Sequence, residues 1–369
     1  MNALEQRSLE IILQNQAPTG AFVACPTFET YQYCWFRDGA FIAHAAFLLG
    51  ERESIRRFEL WCAGVVERYR PVAERVIGML SAGKPVGERD FLPTRFTLEG
   101  VSVEDNWTNF QLDGYGTWLW GLGEYLQRTE DTPLMDEIRP AVVLTVRYLI
   151  ASWQTPCYDC WEEHLSYIHP YTLGAISAGL GAMCPYLPEL ATEIEQAIQA
   201  IGLWLNEHAL RDEQVIKMIP IGAEQESPKS YGVDASLIGL FVPYGIYAPS
   251  SAVAQTTIAR IEQDIHFPGG GVYRYPQDTY YGGGEWLLLA CWLGWYYAEN
   301  GQHEKAADLL KWVESQADTQ GQLSEQVLDH LLDPDYLEEW EQRWGKNASP
   351  LLWSHAMLII LTEALKKNS

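Results

Sequence analysis

Apolar residues recur every three and four positions through most of this 369-residue chain. The rhythm predicts helices over Ala3–Gln14, Gly39–Leu49, Ile55–Tyr69, Phe110–Leu126, Leu134–Trp153, Leu173–Met183, Ala191–Ala209, Ser250–Asp264, Glu285–Ala298, Lys305–Ser315 and Leu351–Leu365. Gly and Pro clusters at Pro18–Gly20, Gly83–Gly87, Pro220–Gly222, Pro268–Gly271 and Gly282–Gly284 punctuate them. Alternating patterns are short; Phe91–Phe96 and Val272–Tyr275 predict small hairpins in loops. No linker or low-complexity tract divides the chain and no fixed-period repeat runs through it, so one domain over residues 1–369 is expected. About a dozen amphipathic helices must each bury an apolar stripe. Six antiparallel pairs closed in a ring, an all-α (α/α)6 barrel, meet that requirement and leave the loops at one end free to build a site. A superhelix of helix pairs also meets it.

The formal charge of −24 narrows the function. So acidic a surface repels nucleic-acid phosphates and anionic membranes, whereas a neutral small molecule such as a sugar is compatible with it. Seven scattered cysteines, an odd number, do not make a disulfide framework. The Cys157-x-x-Cys160 pair lacks the second pair or the histidines of a zinc site, so neither a metal nor a cofactor is expected. The first residues read as an amphipathic helix rather than a leader, and no apolar stretch is long enough to span a bilayer. A cytoplasmic location is the expectation.

The aromatic load, 15 Trp and 20 Tyr, bunches in the loops beside charged residues and glycines. Core packing accounts for many of these rings. Flat faces with polar tips also suit sugar rings, and neighbouring carboxylates suit their hydroxyls. Five segments stand out. In YQYCWFRDG (Tyr31–Gly39), Arg37 and Asp38 end an aromatic run; Asp38 either stabilises a helix start or joins Arg37 in hydrogen-bonding hydroxyls. In WTNFQLDGYG (Trp107–Gly116), Asp113 is either a helix cap or a site residue. CYDCWEEH (Cys157–His164) places Glu162 and Glu163 after Trp161. A carboxyl beside another carboxylate and an indole has its pKa raised, as a general acid requires; a solvated acidic pair is the plainer alternative. GVYRYPQDTYYGGGEW (Gly271–Trp286) interleaves Arg274, Asp278 and Trp286 with tyrosines, in a ligand-facing loop or one packed by its own rings. Glu325 lies in GQLSEQVLDH (Gly321–His330) and, taken alone, reads as a surface residue.

Together the segments resemble glucoamylase and its relatives, glycoside hydrolase family 15, from about Phe28 to Ala356. The resemblance rests on W-x-R-D at Trp35–Asp38, W-x3-Q-x-D-G at Trp107–Gly114, W-E-E at Trp161–Glu163, R-Y-P-x-D-T-Y-Y at Arg274–Tyr281, S-E-Q at Ser324–Gln326 and L-x-W-S-x-A at Leu351–Ala356, six motifs in the family's order. It implies an (α/α)6 barrel and an inverting, exo-acting hydrolase of α-glucosides, with Glu162 as general acid and Glu325 as general base. It further implies substrate contacts from Tyr31, Trp35, Arg37, Asp38, Trp107, Asp113, Trp161, Glu163, Arg274, Asp278 and Trp286. The choice of Glu162 over Glu163 as the acid rests on the motif match. The accessory β-sandwich and starch-binding modules of many relatives are not in this sequence, so short soluble α-glucosides, isomaltose among them, are the expected substrates. Trehalose hydrolysis and a non-catalytic sugar-binding module on the same barrel are the alternatives.

Overall fold

A computed structural model describes residues 2–103, 105, 107–221 and 232–367. Gly222, the end of one predicted breaker cluster, lies outside them. The helices are α1 (Ala3–Gln14), α2 (Phe36–Leu48), α3 (Arg52–Arg68), α4 (Arg70–Ser81), α5 (Asp113–Thr129), α6 (Thr132–Ser152), α7 (Pro170–Met183), α8 (Ala191–His208), α9 (Ala252–Asp264), α10 (Leu287–Glu299), α11 (His303–Ser315), α12 (Leu337–Trp344) and α13 (Leu352–Lys367). Each predicted helix is present, with ends moved by a few residues. Two were not predicted: α4, whose Pro71 sits near its start, and α12, whose charged residues mask a short apolar stripe.

The ring closes through contacts α2–α5, α5–α7, α7 with the 3-10 segment Ala235–Leu240, that segment with α10, α10–α13 and α13–α2. These six form the inner wall. Their composition follows from that place: α10, LLLACWLGWYYAE, has an apolar or aromatic residue at nearly every position and is buried on all sides up to Ala298. The outer helices carry one apolar stripe each; α8 buries only Ile194, Ala197, Ile201 and Leu205. Within the wall α5 and α7 touch backbone to backbone. A Cβ on Gly179 would lie 2.3 Å from the carbonyl oxygen of Gly116, so only glycines allow this approach. The chain is thus an (α/α)6 barrel, as its helical rhythm predicts.

Strand structure consists of two-residue pairs. β1 (Cys34–Trp35) pairs with β2 (Arg95–Phe96), β3 (Tyr167–Ile168) with β6 (Ile219–Pro220), β4 (Leu210–Arg211) with β5 (Gln214–Val215), and β7 (Glu285–Trp286) with β8 (Gln326–Val327). The predicted hairpins need correction. Phe96 pairs with Cys34, far away in the chain, and Val272 forms isolated bridges with His266 and Trp286. Three of these ladders, β1–β2, β3–β6 and β7–β8, tie loops distant in sequence together, while β4–β5 is a local hairpin. β1, β3 and β7 run directly into the inner helices α2, α7 and α10, or within one residue of them. They therefore lock the loops at the N-terminal ends of the inner ring, where the site residues lie. No described helix is long and apolar enough to cross a membrane.

One carboxyl is buried in the wall away from that end. Trp118 Nε1 on α5 donates to Glu59 Oε2 on α3 at 2.6 Å, and burial pushes Glu59 up to about 8. Its folded pKa lies above its unfolded value. The stability it contributes is therefore complete below about pH 4.3 and lost as pH rises through about 8. Glu59→Gln keeps an acceptor for Trp118 and removes the titration. Thermal melts at about pH 5 and about pH 9 should show the wild type losing more Tm than the variant over that range; equal losses would contradict a neutral Glu59.

Candidate active site

A cavity of about 320 Å³ opens at the N-terminal ends of the inner helices. Its wall includes Tyr31, Trp35, Arg37, Asp38, Trp107, Trp161, Glu162, Glu163, Arg274, Trp286 and Glu325. Of the predicted contact residues only Asp113 and Asp278 are missing from it. Each stands behind an arginine. Asp113 Oδ2, at the first residue of α5, lies 3.1 Å from Arg37, and Asp278 takes Arg274 in a two-point clamp at 2.7 and 2.5 Å. Asp113 makes no side-chain cap and does not line the cavity; its carboxylate holds Arg37.

Arg37 and Asp38 stand in the first turn of α2. Arg37 also donates to Gln111 at 3.2 Å, while Gln111 in turn donates to the Asp159 carbonyl, so the guanidinium is tied to the Glu162 loop. Asp38 Oδ2 lies 3.4 Å from Arg37 Nε, yet neither atom has a hydrogen-bond partner. Burial pushes Asp38 up to about 6, against the pull of Arg37.

Glu162 sits at φ +68, in the left-handed region where non-glycine residues are uncommon. Asp159 imposes that turn. Its Oδ1 accepts the amides of Trp161 and Glu163, both at 2.9 Å, and its carbonyl accepts the amide of Glu162 at 2.9 Å. The turn aims Glu162 inward, where Trp35 Nε1 donates to Oε1 at 2.5 Å. Burial pushes Glu162 up to about 7, only partly opposed by Arg37, the Trp35 hydrogen bond and Arg95. Glu163 is likewise half-buried but differs in partners: it accepts the Tyr275 hydroxyl at 2.6 Å and lies 3.7 Å from Arg274.

Glu325 is 2% exposed, not the surface residue it resembles in isolation. Its amide donates to the Ala348 carbonyl, and β8 beginning at the next residue pairs with β7, which sets it beside Trp286. Burial pushes its carboxyl up to about 8, against Arg274 and a hydrogen bond with Tyr31. The Tyr31 hydroxyl also bonds that of Tyr280 at 2.7 Å.

Several buried polar atoms of the cavity wall have no partner: Arg37 Nε, Asp38 Oδ2, Glu325 Oε2 and the indole nitrogens of Trp107, Trp286 and Trp353. Buried polar groups are normally satisfied, so donors and acceptors left open around one cavity suit a ligand rich in hydroxyls. As for metals, Asp159, Glu163 and His164 bring ligand atoms within 4.8 Å of one another. That group is poorly suited to a cation, because Tyr275 and Arg274 already engage Glu163 and burial pushes Asp159 up to about 8 despite the opposing pull of Lys217.

Several contributors were not singled out from sequence. Asp159, which shapes the Glu162 loop, lies within a flagged segment but had no role there. Trp353 sits in the L-x-W-S-x-A motif, and its ring lies 5.4 Å under the Arg37 guanidinium. Lys217 and Asp234 form a buried pair at 3.1 Å, and Asp234 accepts the Trp161 indole at 3.0 Å. No local pattern marks that pair. Trp340, Arg343 and Trp344 of α12 line the mouth, and their three- and four-residue spacing could have revealed a common helix face.

The chain is similar to known proteins along almost its whole length. The model for "Glycosyl hydrolases family 15" matches residues 2–315. An isomaltose glucohydrolase from Kribbella flavida is 38% identical over 371 aligned positions, covering 99% of this chain and 93% of that protein. A solved wild-type glycosidase superposes with a TM-score of 0.92 at 37% identity over 98% of this chain and 96% of the other. A bacterial glucoamylase complexed with acarbose shares the fold, with a TM-score of 0.76 at 20% identity over 100% of this chain and 56% of that one.

Glu162 and Glu325 both lie above the ordinary glutamate value, and turnover by an acid–base pair needs one of them protonated and the other ionised. The pair lines one cavity and loses its two protons in turn as pH rises. Its first proton leaves on the rising limb of kcat/KM against pH and its second on the falling limb, so both limbs should stand above the roughly 4.3 of a free glutamate. A rising limb at or below that value, measured on any substrate the protein turns over, would contradict the raised pair.

Proposed function

The chain belongs to glycosyl hydrolases family 15, and on that premise we propose that Glu162 is the general acid and Glu325 the general base of its hydrolysis of α-glucosides. The protein is an exo-acting glycoside hydrolase. One observation carries the pair: two carboxyls, Glu325 buried and Glu162 half-buried, both raised in pKa, face one cavity between aromatic walls, and the motif match assigns the acid to Glu162 and the base to Glu325. Glycoside hydrolysis by inversion needs such a pair, one carboxylic acid at the departing oxygen and one carboxylate activating water on the opposite ring face.

In this reading the non-reducing glucose enters first. Arg37 and Asp38 grip its outer hydroxyls through the atoms that have no protein partner, and Trp35, Trp161 and Trp286 flank the ring. Glu162 gives its proton to the glycosidic oxygen as that bond breaks. Glu325 draws a proton from the water that attacks the anomeric carbon, and β-glucose leaves. Arg274, held by Asp278, keeps a positive charge beside Glu325 and favours its ionised form. The Trp35 hydrogen bond orients Glu162, while the Tyr275 hydroxyl and Arg274 engage Glu163 in a place suited to binding the sugar.

The substrate we propose is isomaltose or another short α-1,6-linked glucoside. Support comes from the similarity to the isomaltose glucohydrolase and from the cavity, which at about 320 Å³ is near the small end of the ~300–1,000 Å³ range of ligand sites.

Proton NMR of the first product should show β-glucose; α-glucose would rule out inversion. Initial rates on isomaltose, maltose, panose and trehalose should rank isomaltose first, and preference for trehalose would overturn the substrate. Glu325→Gln should lower kcat roughly 10²–10⁴-fold with an unchanged circular-dichroism spectrum. Glu162→Gln should lose isomaltose hydrolysis to a similar extent but retain far more turnover of α-glucosyl fluoride, whose leaving group needs no proton. Equal losses on the two substrates would remove Glu162 from the acid role.

A further inference from the structure

The short helix α12 is anchored to the mouth through Trp340, whose indole donates to the Thr279 carbonyl at 2.8 Å and whose ring stacks on Tyr281. It has no buried residue, yet it carries two tryptophans and an arginine on one face, at positions 340, 343 and 344. All three line the mouth of the cavity. Large apolar rings half-exposed around an opening usually serve contact with something outside the fold.

Their direction is informative. Trp344 stacks on Trp107, with ring centroids 5.6 Å apart and planes 29° apart. Trp107 meets Trp35 edge-on at 6.3 Å, and Trp35 donates to Glu162. A line of three indoles therefore runs from the mouth to the proposed acid. The acid protonates the oxygen of the departing group, so this line runs along the side on which that group leaves. Trp107 Nε1 is buried without a partner at the middle of the line. Arg343 lies over both rings of α12, 5.2 Å from Trp340 and 4.9 Å from Trp344, and presents an exposed donor fork at the rim.

We propose that α12, through Trp344 together with Trp107, forms the subsite for the leaving sugar, stacking its apolar face while the Trp107 indole and Arg343 donate to its hydroxyls. This rests on the reading above, in which glucose occupies the inner part of the cavity between Arg37 and the two glutamates. Trp344 is a specificity-determining residue in this scheme. It contributes to cleavage only when the departing group is a sugar with a face to stack.

The test compares two substrates on the intact protein. Isomaltose has a leaving sugar and α-glucosyl fluoride has none, so the ratio of their kcat/KM values reads the subsite and cancels damage to the inner cavity. Trp344→Ala should lower that ratio at least tenfold, which corresponds to about 1.4 kcal/mol. Trp344→Phe, which keeps an aromatic face, should restore most of it. A parallel fall on both substrates would mean that Trp344 merely supports Trp107 and the glutamate pair, and would overturn the proposal. An unchanged ratio would overturn it equally. A wild type that turns over neither substrate would fail the underlying functional reading and take the subsite with it. Helix α12 packs on the outside of the mouth, so circular dichroism should show the same helix content in all variants.

Discussion

The packing of α13 against α2 turns a row of helix pairs into a ring, and the cavity depends on it. Phe41 of α2 stacks on Trp353 of α13 with centroids 5.4 Å apart, and Trp292 of α10 packs beside them at 6.1 Å. The Leu352 amide donates to the Ala24 carbonyl, and Ser8 bonds His355 at 2.9 Å across 347 residues of sequence. Closing so long a stretch costs only logarithmically more entropy than closing a short one, and the buried rings offset it. The same closure brings Trp353 under Arg37 and Glu325 beside Tyr31. An open superhelix with the same helices would contain both glutamates and no shared cavity.

Charge inside the cavity follows from that enclosure. A surface of net charge −24 sits around a pocket whose main cations are two fully enclosed arginines. Each is clamped from behind by an aspartate, Arg37 by Asp113 and Arg274 by Asp278. The clamp lets a buried guanidinium keep its charge and its orientation while its remaining face looks into the pocket. Asp113 and Asp278 thus belong to the site without lining it. A sequence motif cannot separate those two ways of belonging, since both kinds of residue occupy fixed places in it.

The sequence was most legible where a pattern repeats. Helical rhythm located the helices of the ring and the all-apolar run of α10 because burial dictates residue type at every turn. It missed α12 because that helix buries no residue fully; Leu337, Trp340 and Trp344 are spaced as a stripe that packs on the core but are outnumbered by Glu, Gln and Arg. The hairpins were misread because two-residue strands carry too little alternation to show their partners, and Cys34–Phe96 pairing is set by the barrel rather than by a turn. Glu325 looked like a surface residue because a buried glutamate has no local signature. Only its place in an ordered set of motifs distinguished it. The Lys217–Asp234 pair was invisible for a related reason: seventeen positions separate partners that meet only through the fold.

Glu162 shows how these levels meet. A glutamate at φ +68 is unfavourable in isolation, and such a residue persists only where its surroundings over-determine it. Here Asp159 supplies that constraint by capping the amides on both sides of it. Asp159 is itself buried and pushed up to about 8 by desolvation, despite the opposing pull of Lys217. Lys217 is therefore connected to the acid loop twice, through the charge of Asp159 and through Asp234, which holds the Trp161 indole. Glu162 and Glu163 are adjacent and chemically identical, yet they end in different environments. The left-handed turn sets one carboxyl against Trp35 and the next against Tyr275 and Arg274. Burial then raises the pKa of the first, while the second keeps a hydrogen-bond donor and a cation suited to a carboxylate. The different settings of two neighbouring glutamates thus come from one backbone angle, and that angle from an aspartate three residues upstream.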